Sequence, residues 1–246
     1  MTPEASLWVF GDGALATSTA RGLSSLGVHV LRVGTVEAPG PWTWMAAPPR
    51  LTGVEPSLVI CVAETTSTLA ARCQDVVASG RTVKLTVAPL HVPSRTDTPH
   101  LAVGALWGPD TPWVARLTDA VANRPHALWL PRLVGLRPTT PHVLAQAVLA
   151  RCTTPSDATW TLTGRSPHGL HDLGDLILRH AGHSTLRPRS APAWATGVRY
   201  QLRTAVLREW IAAASVPNHT PGWEPDEVET RWDWVTPRIR TRRTTP

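Results

Sequence analysis

Apolar residues along this chain fall in short continuous runs. Glycine-, proline- and threonine-rich stretches separate them. This is the pattern of strands buried on both faces of a parallel sheet, not of an alternating, half-solvated one. The first run is Leu7–Phe10 (Leu-Trp-Val-Phe), followed by residues 28–33, Leu58–Val62, residues 82–87 and residues 101–105. Helical patterning fills the intervals: residues 14–26, closed by Gly27, residues 65–79, closed by Gly80, and a helix starting near Thr111. Further on, residues 143–151 and 169–182 have amphipathic helical spacing, and residues 160–164 read as another strand. Residues 197–216 form a long helical stretch with Leu202, Val206, Trp210 and Ile211 on one stripe. Residues 38–49 read as a Pro/Trp-rich loop whose Trp42 and Trp44 border the adenine side of a site, and residues 188–192 as a linker. Alternating strands and helices predict an α/β protein built on a doubly wound, Rossmann-like parallel sheet with a small C-terminal lobe. The expected divisions are a dinucleotide-binding core over 1–125, the remainder of the core with a substrate-side lobe over 126–216, and a Trp-rich, basic extension over 217–246.

The first run leads directly into Gly11-Asp12-Gly13-Ala14-Leu15-Ala16, a G-x-G-x-x-A turn between a strand and a helix. That context turns a weak motif into the signature of a dinucleotide-binding βαβ unit. Gly11 permits the tight exit from the strand, and Gly13 leaves room for a pyrophosphate to approach the backbone. Ala16 lets the helix pack closely on the sheet, and the amides of Ala14, Leu15 and Ala16 open toward the phosphates. Val62 and Ala63, at the end of the third run, complete the expected cofactor contacts. About 20 residues beyond the glycines, where an acid would read the ribose, the matching position is Arg32. No Asp or Glu occurs between Asp12 and Glu37. An arginine there favours a 2′-phosphate, so NADP is the expected cofactor, with NAD as the alternative.

Composition narrows the picture further. The 246 residues are 42% apolar and 17% charged, enough for one sizeable core and unlike a disordered chain. No apolar run approaches the ~20 residues of a membrane span, and residues 1–4 lack the basic and apolar regions of a secretory signal, so a cytoplasmic protein is expected. Cys61, Cys73 and Cys152 are odd in number and widely spaced, as reduced core thiols would be, and they form no metal-binding spacing. Of the 24 basic residues only Lys84 is lysine, and the net charge is +6. The arginines are scattered except for Arg238, Arg240, Arg242 and Arg243, which speaks against a nucleic-acid surface.

Five segments occur in a telling order: the glycine turn, Ala-Leu-Trp-Gly-Pro at 105–109, the helix at 143–150, the strand at 160–164 and the helix at 171–178. In that order the chain resembles the extended and atypical short-chain dehydrogenase/reductases, the NAD(P)-dependent epimerase/dehydratase group, over residues 6–195. The resemblance implies a small lobe closing over a small-molecule substrate. It also implies a proton relay by a tyrosine whose partner lysine follows four residues on, with a serine or threonine nearby. The relay is not where the resemblance places it. The single tyrosine is Tyr200, with no lysine after it, and Lys84 lies inside the fourth strand. Residues 88–100 hold three prolines and no helical period, so the long catalytic helix is expected to be missing. Thr86 overlies the serine position, and His142 or Val143 replaces the acid that opens the later helix.

Without a phenolic acid, carbonyl reduction lacks a proton donor worth about 10²–10⁴-fold in rate. His91 and Asp110 are the substitutes favoured, with His100 and His142 behind them, although Asp110 is equally suited to cap the helix near Thr111. Two classes of function follow. One is an NADP-preferring reductase or epimerase-like enzyme acting on a small or medium metabolite. The other is a repurposed, non-redox member: a dinucleotide-binding regulator or a cofactor-independent enzyme. Self-association into a homodimer stays open.

Overall fold

The computed structural model describes residues 7–46, 58–62, 71, 73–75, 83–90, 99–132, 136–153, 159–164 and 167–192. Seven strands form one sheet: β1 (Leu7–Phe10), β2 (Val30–Gly34), β3 (Thr43–Ala46), β4 (Leu58–Val62), β5 (Val83–Pro89), β6 (His100–Val103) and β8 (Trp160–Leu162). Their order is β3-β2-β1-β4-β5-β6-β8, and every pairing is parallel. From β1 the chain winds outward to β2 and β3. It then crosses back and winds the other way through β4, β5, β6 and β8. The carboxyl ends of β1 and β4 therefore flank a topological switch point, where an open α/β sheet leaves a crevice.

The sheet is buried on both faces, as its continuous apolar runs require. On one face α1 (Ala14–Ser25) and α3 (Pro141–Thr153) pack over Leu7, Val9, Val30, Ile60, Leu85, Val87 and Leu101. The other face carries Trp8, Phe10, Leu31, Val33 and Val59, packed with Cys73. The two helices on the first face come unusually close. A Cβ on Gly22 would stand 1.9 Å from the Pro141 carbonyl oxygen, so only glycine allows that crossing. Helix α1 ends where Gly27 turns to φ +78°, as expected.

A second core forms the small lobe. Helix α2 (Pro112–Asn123) and helix α4 (Leu170–His180) bury Trp113, Val114, Leu117, Leu173 and Ile177 with Trp107, and the two-stranded sheet of β7 (Trp129–Leu130) and β9 (Arg189–Ser190) lies beside them. The lobe is not one contiguous stretch. Between its two halves the chain returns to the main sheet as α3 and β8.

Residues 43–46, expected to be loop, are strand β3, which moves the later strands up by one in number. Residues 189–190, expected to be linker, pair with β7. Asp110 does not cap α2: Thr111 is the N-cap residue and Pro112 opens the helix. Of the helix expected over 65–79, Ala71 and residues 73–75 are helical. The helix over 197–216 and the extension over 217–246 lie outside the described residues. Cys73 and Cys152 are unbridged thiols. Burial pushes the Cys152 thiol up to about 12, which keeps it protonated and unreactive. No helix among the described residues is long and apolar enough to cross a membrane.

Two predictions follow from this packing. Gly22→Ala gains about 1 kcal/mol of helix propensity but drives a methyl into the Pro141 carbonyl, so a net loss of about 1–3 kcal/mol is expected in denaturant unfolding. His100 on β6 is 4% exposed with its Nδ1 unpartnered, and burial lowers its pKa below the ordinary 6.5. The unfolded chain therefore protonates His100 before the folded one does, and stability drops as pH falls below 6.5 until the folded pKa is passed. Unfolding midpoints at about pH 7.5 and 5.5 should diverge less in His100→Gln than in the wild type.

Candidate functional site

The chain leaves β1 through Gly11, whose amide donates to the Val33 carbonyl across the sheet at 3.0 Å. Gly11 has φ +156°, and a Cβ there would meet the Ala16 Cβ at 2.8 Å and the Val62 Cβ at 3.2 Å. Glycine is thus demanded twice, by conformation and by space. The space is taken by Ala16, fully buried as its expected role in close helix packing requires, and by Val62 at the end of β4. Gly13 is the N-cap residue of α1 in an extended conformation that any residue adopts, and no side chain caps the helix. Its first-turn amides, including those of Ala14, Leu15 and Ala16, have no carbonyl of their own helix to reach. No acid lies in that first turn. The result is an electropositive helix end facing the switch-point crevice.

Asp12 bridges the glycine turn to the segment after β2. Its Oδ1 accepts from the amides of Thr35 at 2.6 Å and Val36 at 3.2 Å, and its Oδ2 accepts from the Thr35 hydroxyl at 2.6 Å. The strand itself ends at Gly34, where a Cβ would stand 2.6 Å from Asp12 Oδ1.

Arg32 lies two residues short of that end and is 1% exposed. Its side chain runs on the α1 face, where Nη2 donates to the Gly11 carbonyl at 3.3 Å and the guanidinium carbon lies 5.5 Å from the centre of the Trp42 ring. Nε and Nη1 have no hydrogen-bond partner among the described residues. Burial lowers the Arg32 pKa, and the Asp12 and Asp110 carboxylates act in the opposite sense. Arg21 of α1 stacks on the same Trp42 ring at 5.6 Å. It also grips Asp110 with two bonds, Nε to Oδ2 at 2.5 Å and Nη2 to Oδ1 at 3.0 Å. Arg32 and Arg21 thus share one indole, and Arg21 ties Asp110 to it. Sequence spacing alone did not reveal this cluster, because its members come from β2, α1 and the segments before β3 and α2.

The remaining candidates are spread out. Thr86 stands three residues back from the end of β5, in register with Cys61 of β4 and, through it, with Phe10, the last residue of β1. Lys84 stands five back, in register with Val59 and about 10 Å below the end of β4. Thr86 is paired in register with buried His100 inside the sheet. Asp110 is held by Arg21, and His142 lies in the first turn of α3. His91, Ala63 and Tyr200 lie outside the described residues. The ten residues between Pro89 and His100 contain neither tyrosine nor lysine, so this crossover cannot carry the relay.

The Arg21–Asp110 pair is partly exposed, Arg21 by about a third, so its strength is modest. A double-mutant cycle with Arg21→Ala and Asp110→Ala should give a coupling of about 0.5–1 kcal/mol in unfolding free energy. That coupling should shrink at about 1 M salt.

No family profile matches the chain, and no curated protein matches its sequence. Its fold, by contrast, has solved counterparts. The chain is similar to UDP-glucose 4-epimerase of Thermotoga maritima, solved with UDP-glucose, at 12% identity and TM-score 0.62, covering 98% of this chain and 99% of that one. It is similar to dTDP-glucose 4,6-dehydratase of Bacillus anthracis, solved with NAD, at 8% identity and TM-score 0.56, covering 98% and 97%. ADP-L-glycero-D-manno-heptose-6-epimerase of Helicobacter pylori matches at 9% identity and TM-score 0.54, covering 87% and 97%. The glycine turn, the strand order and the switch point are thus set in the Rossmann-like fold of the NAD-dependent epimerases and dehydratases, the fold expected from sequence.

Proposed function

We propose that the chain binds a nicotinamide adenine dinucleotide across the carboxyl ends of β1 and β4 and acts as an epimerase- or reductase-like enzyme on a small or medium metabolite. A sugar nucleotide is the class of substrate favoured, since the enzymes that share the fold include a UDP-glucose 4-epimerase and a dTDP-glucose dehydratase. The observation that carries this reading is the Gly11 cradle under an uncapped helix end. A Cβ at Gly11 would fill the cradle, and the free amides suit a diphosphate, so the residues present fit the cofactor. When bound, the dinucleotide supplies a hydride acceptor or donor.

The chain's own residues do the rest. The amides at the start of α1 hold the diphosphate, and Gly13 keeps the approach clear. Val62 walls the crevice on the β4 side. Arg32 braces the turn through the Gly11 carbonyl, so the case for NADP, which needs a guanidinium reaching the ribose, loses its support. His91, in the crossover leaving the carboxyl end of β5, is the proton donor favoured over Asp110, which Arg21 already engages.

One observation favours a second class. The only lysine stands inside β5 in register with Val59, about 10 Å below the carboxyl end of β4. A dinucleotide-binding protein that transfers no hydride would need no relay, and deuteride transfer from labelled cofactor to an accepted sugar nucleotide separates the two.

The binding test uses the chain's tryptophans. Titration with NADH should quench their emission with a Kd well below about 1 mM. Gly13→Asp, which sets a carboxylate against the diphosphate, should weaken binding at least about tenfold with the circular dichroism unchanged. A wild-type chain that binds neither NADH nor NADPH at such concentrations would overturn the proposal.

A further inference from the structure

We infer that Asp12, from within the glycine turn, is the residue that recognises the adenine ribose and sets a preference for NAD(H) over NADP(H). This rests on the dinucleotide site proposed above. In a βαβ unit of this kind the ribose hydroxyls are read by an acid near the end of the second strand. Here that strand ends in Gly34, which is not among the positive-φ glycines Gly11, Gly27 and Gly182, so its backbone does not call for glycine. Space does. A Cβ at Gly34 would lie 2.6 Å from Asp12 Oδ1. An aspartate's own carboxylate oxygens lie about 2.4 Å from its Cβ by standard bond lengths. Asp12 therefore brings an oxygen as close to that Cβ position as a strand-end aspartate would bring its own. The acid has moved from the strand to the turn, and the strand has given up its side chain to admit it.

The carboxylate is held for the task. Two backbone amides fix Oδ1, and the Thr35 hydroxyl donates to Oδ2. A carboxylate has about four acceptor positions, so Oδ2 keeps one for a ribose hydroxyl. Its surroundings match a nucleoside as well. Val36, whose amide binds the same carboxylate, is 65% exposed and is the exposed large apolar side chain among the described residues. An apolar surface beside a diol-binding carboxylate suits a base attached to an unmodified ribose. A 2′-phosphate would bring about two negative charges against Asp12. The nearby cation, Arg32, does not offset them, because it is buried behind the turn and directed to the Gly11 carbonyl.

The test measures NADH and NADPH affinities of the full-length chain by tryptophan quenching, with circular dichroism as the check on folding. The wild type should bind NADH at least about tenfold more tightly than NADPH. Asp12→Asn keeps an acceptor for the Thr35 and Val36 amides but loses the charge, and should bring the two affinities within a few-fold of each other, mainly by weakening NADH. The double variant Asp12→Gly with Gly34→Asp returns the acid to the strand and should restore the preference for NADH. A purely structural Asp12 would lower both affinities together and leave their ratio unchanged, which would overturn the inference. A wild type that favours NADPH, or binds both equally, would also overturn it while leaving the dinucleotide site standing. Binding of neither nucleotide would overturn both. Should Asp12→Asn fail to fold, the wild-type ratio and the double variant decide.

Discussion

The molecule depends on one close approach, in which the backbone of β1 meets α1 and β4 at Gly11 with no side chain between them. Ala16 and Val62 press in from two sides, and the Arg32 guanidinium takes the Gly11 carbonyl from a third direction. The turn is held by groups that all need the same small volume. A methyl at Gly11 would push α1 off the sheet, and with it α3, which rides on α1 through the equally tight contact at Gly22. The geometry of the crevice is thus coupled to the packing of the whole α1 face.

A buried arginine under such a turn needs compensation. Arg32 has one hydrogen bond and one aromatic ring, with the Asp12 and Asp110 charges nearby. The same Trp42 ring also lies against Arg21, which holds Asp110. Arg32 is the one fully buried charge of the four, and the partly exposed Asp12 and Asp110 carboxylates offset it. This is the arrangement in which a buried cation is tolerated, because each charge has an opposite charge or a polar partner close by. It also draws Asp110 into support of the turn, although an aspartate after Gly108-Pro109 invites a reading as cap or acid.

Much of this was legible in the residues before any coordinates. The continuous apolar runs identified β1 and β4 to the residue, and the G-x-G-x-x-A turn located the switch point. What was not legible depends on tertiary contacts. Thr43–Ala46 is an edge strand with half-buried or exposed side chains among prolines and glycines, so it lacks the apolar signature of its neighbours. A count of about 20 residues from the glycines stops at Arg32, but the strand runs on to Gly34, and spacing does not report that an arginine has turned inward. The pairing of Asp12 with Gly34 is a matter of complementary volumes 22 positions apart. A glycine at a strand end carries no sign that another residue's carboxylate has claimed its space.

The opposite half of the sheet shows why the family's chemistry cannot simply be transferred. Leu85, Val87, Leu101 and Val103 point to the α1 face, so alternation sends Lys84, Thr86, Ala88, His100 and Ala102 to the other. On β1 and β4 that same face carries Trp8, Phe10 and Val59. A long helix packed across β5 and β6 would need large apolar side chains beneath it, and the strands supply small and polar ones. The ten residues joining β5 to β6 contain neither tyrosine nor lysine. The face of β5 and β6 opposite α1 thus differs in kind from the same face of β1 and β4, although one sheet carries both.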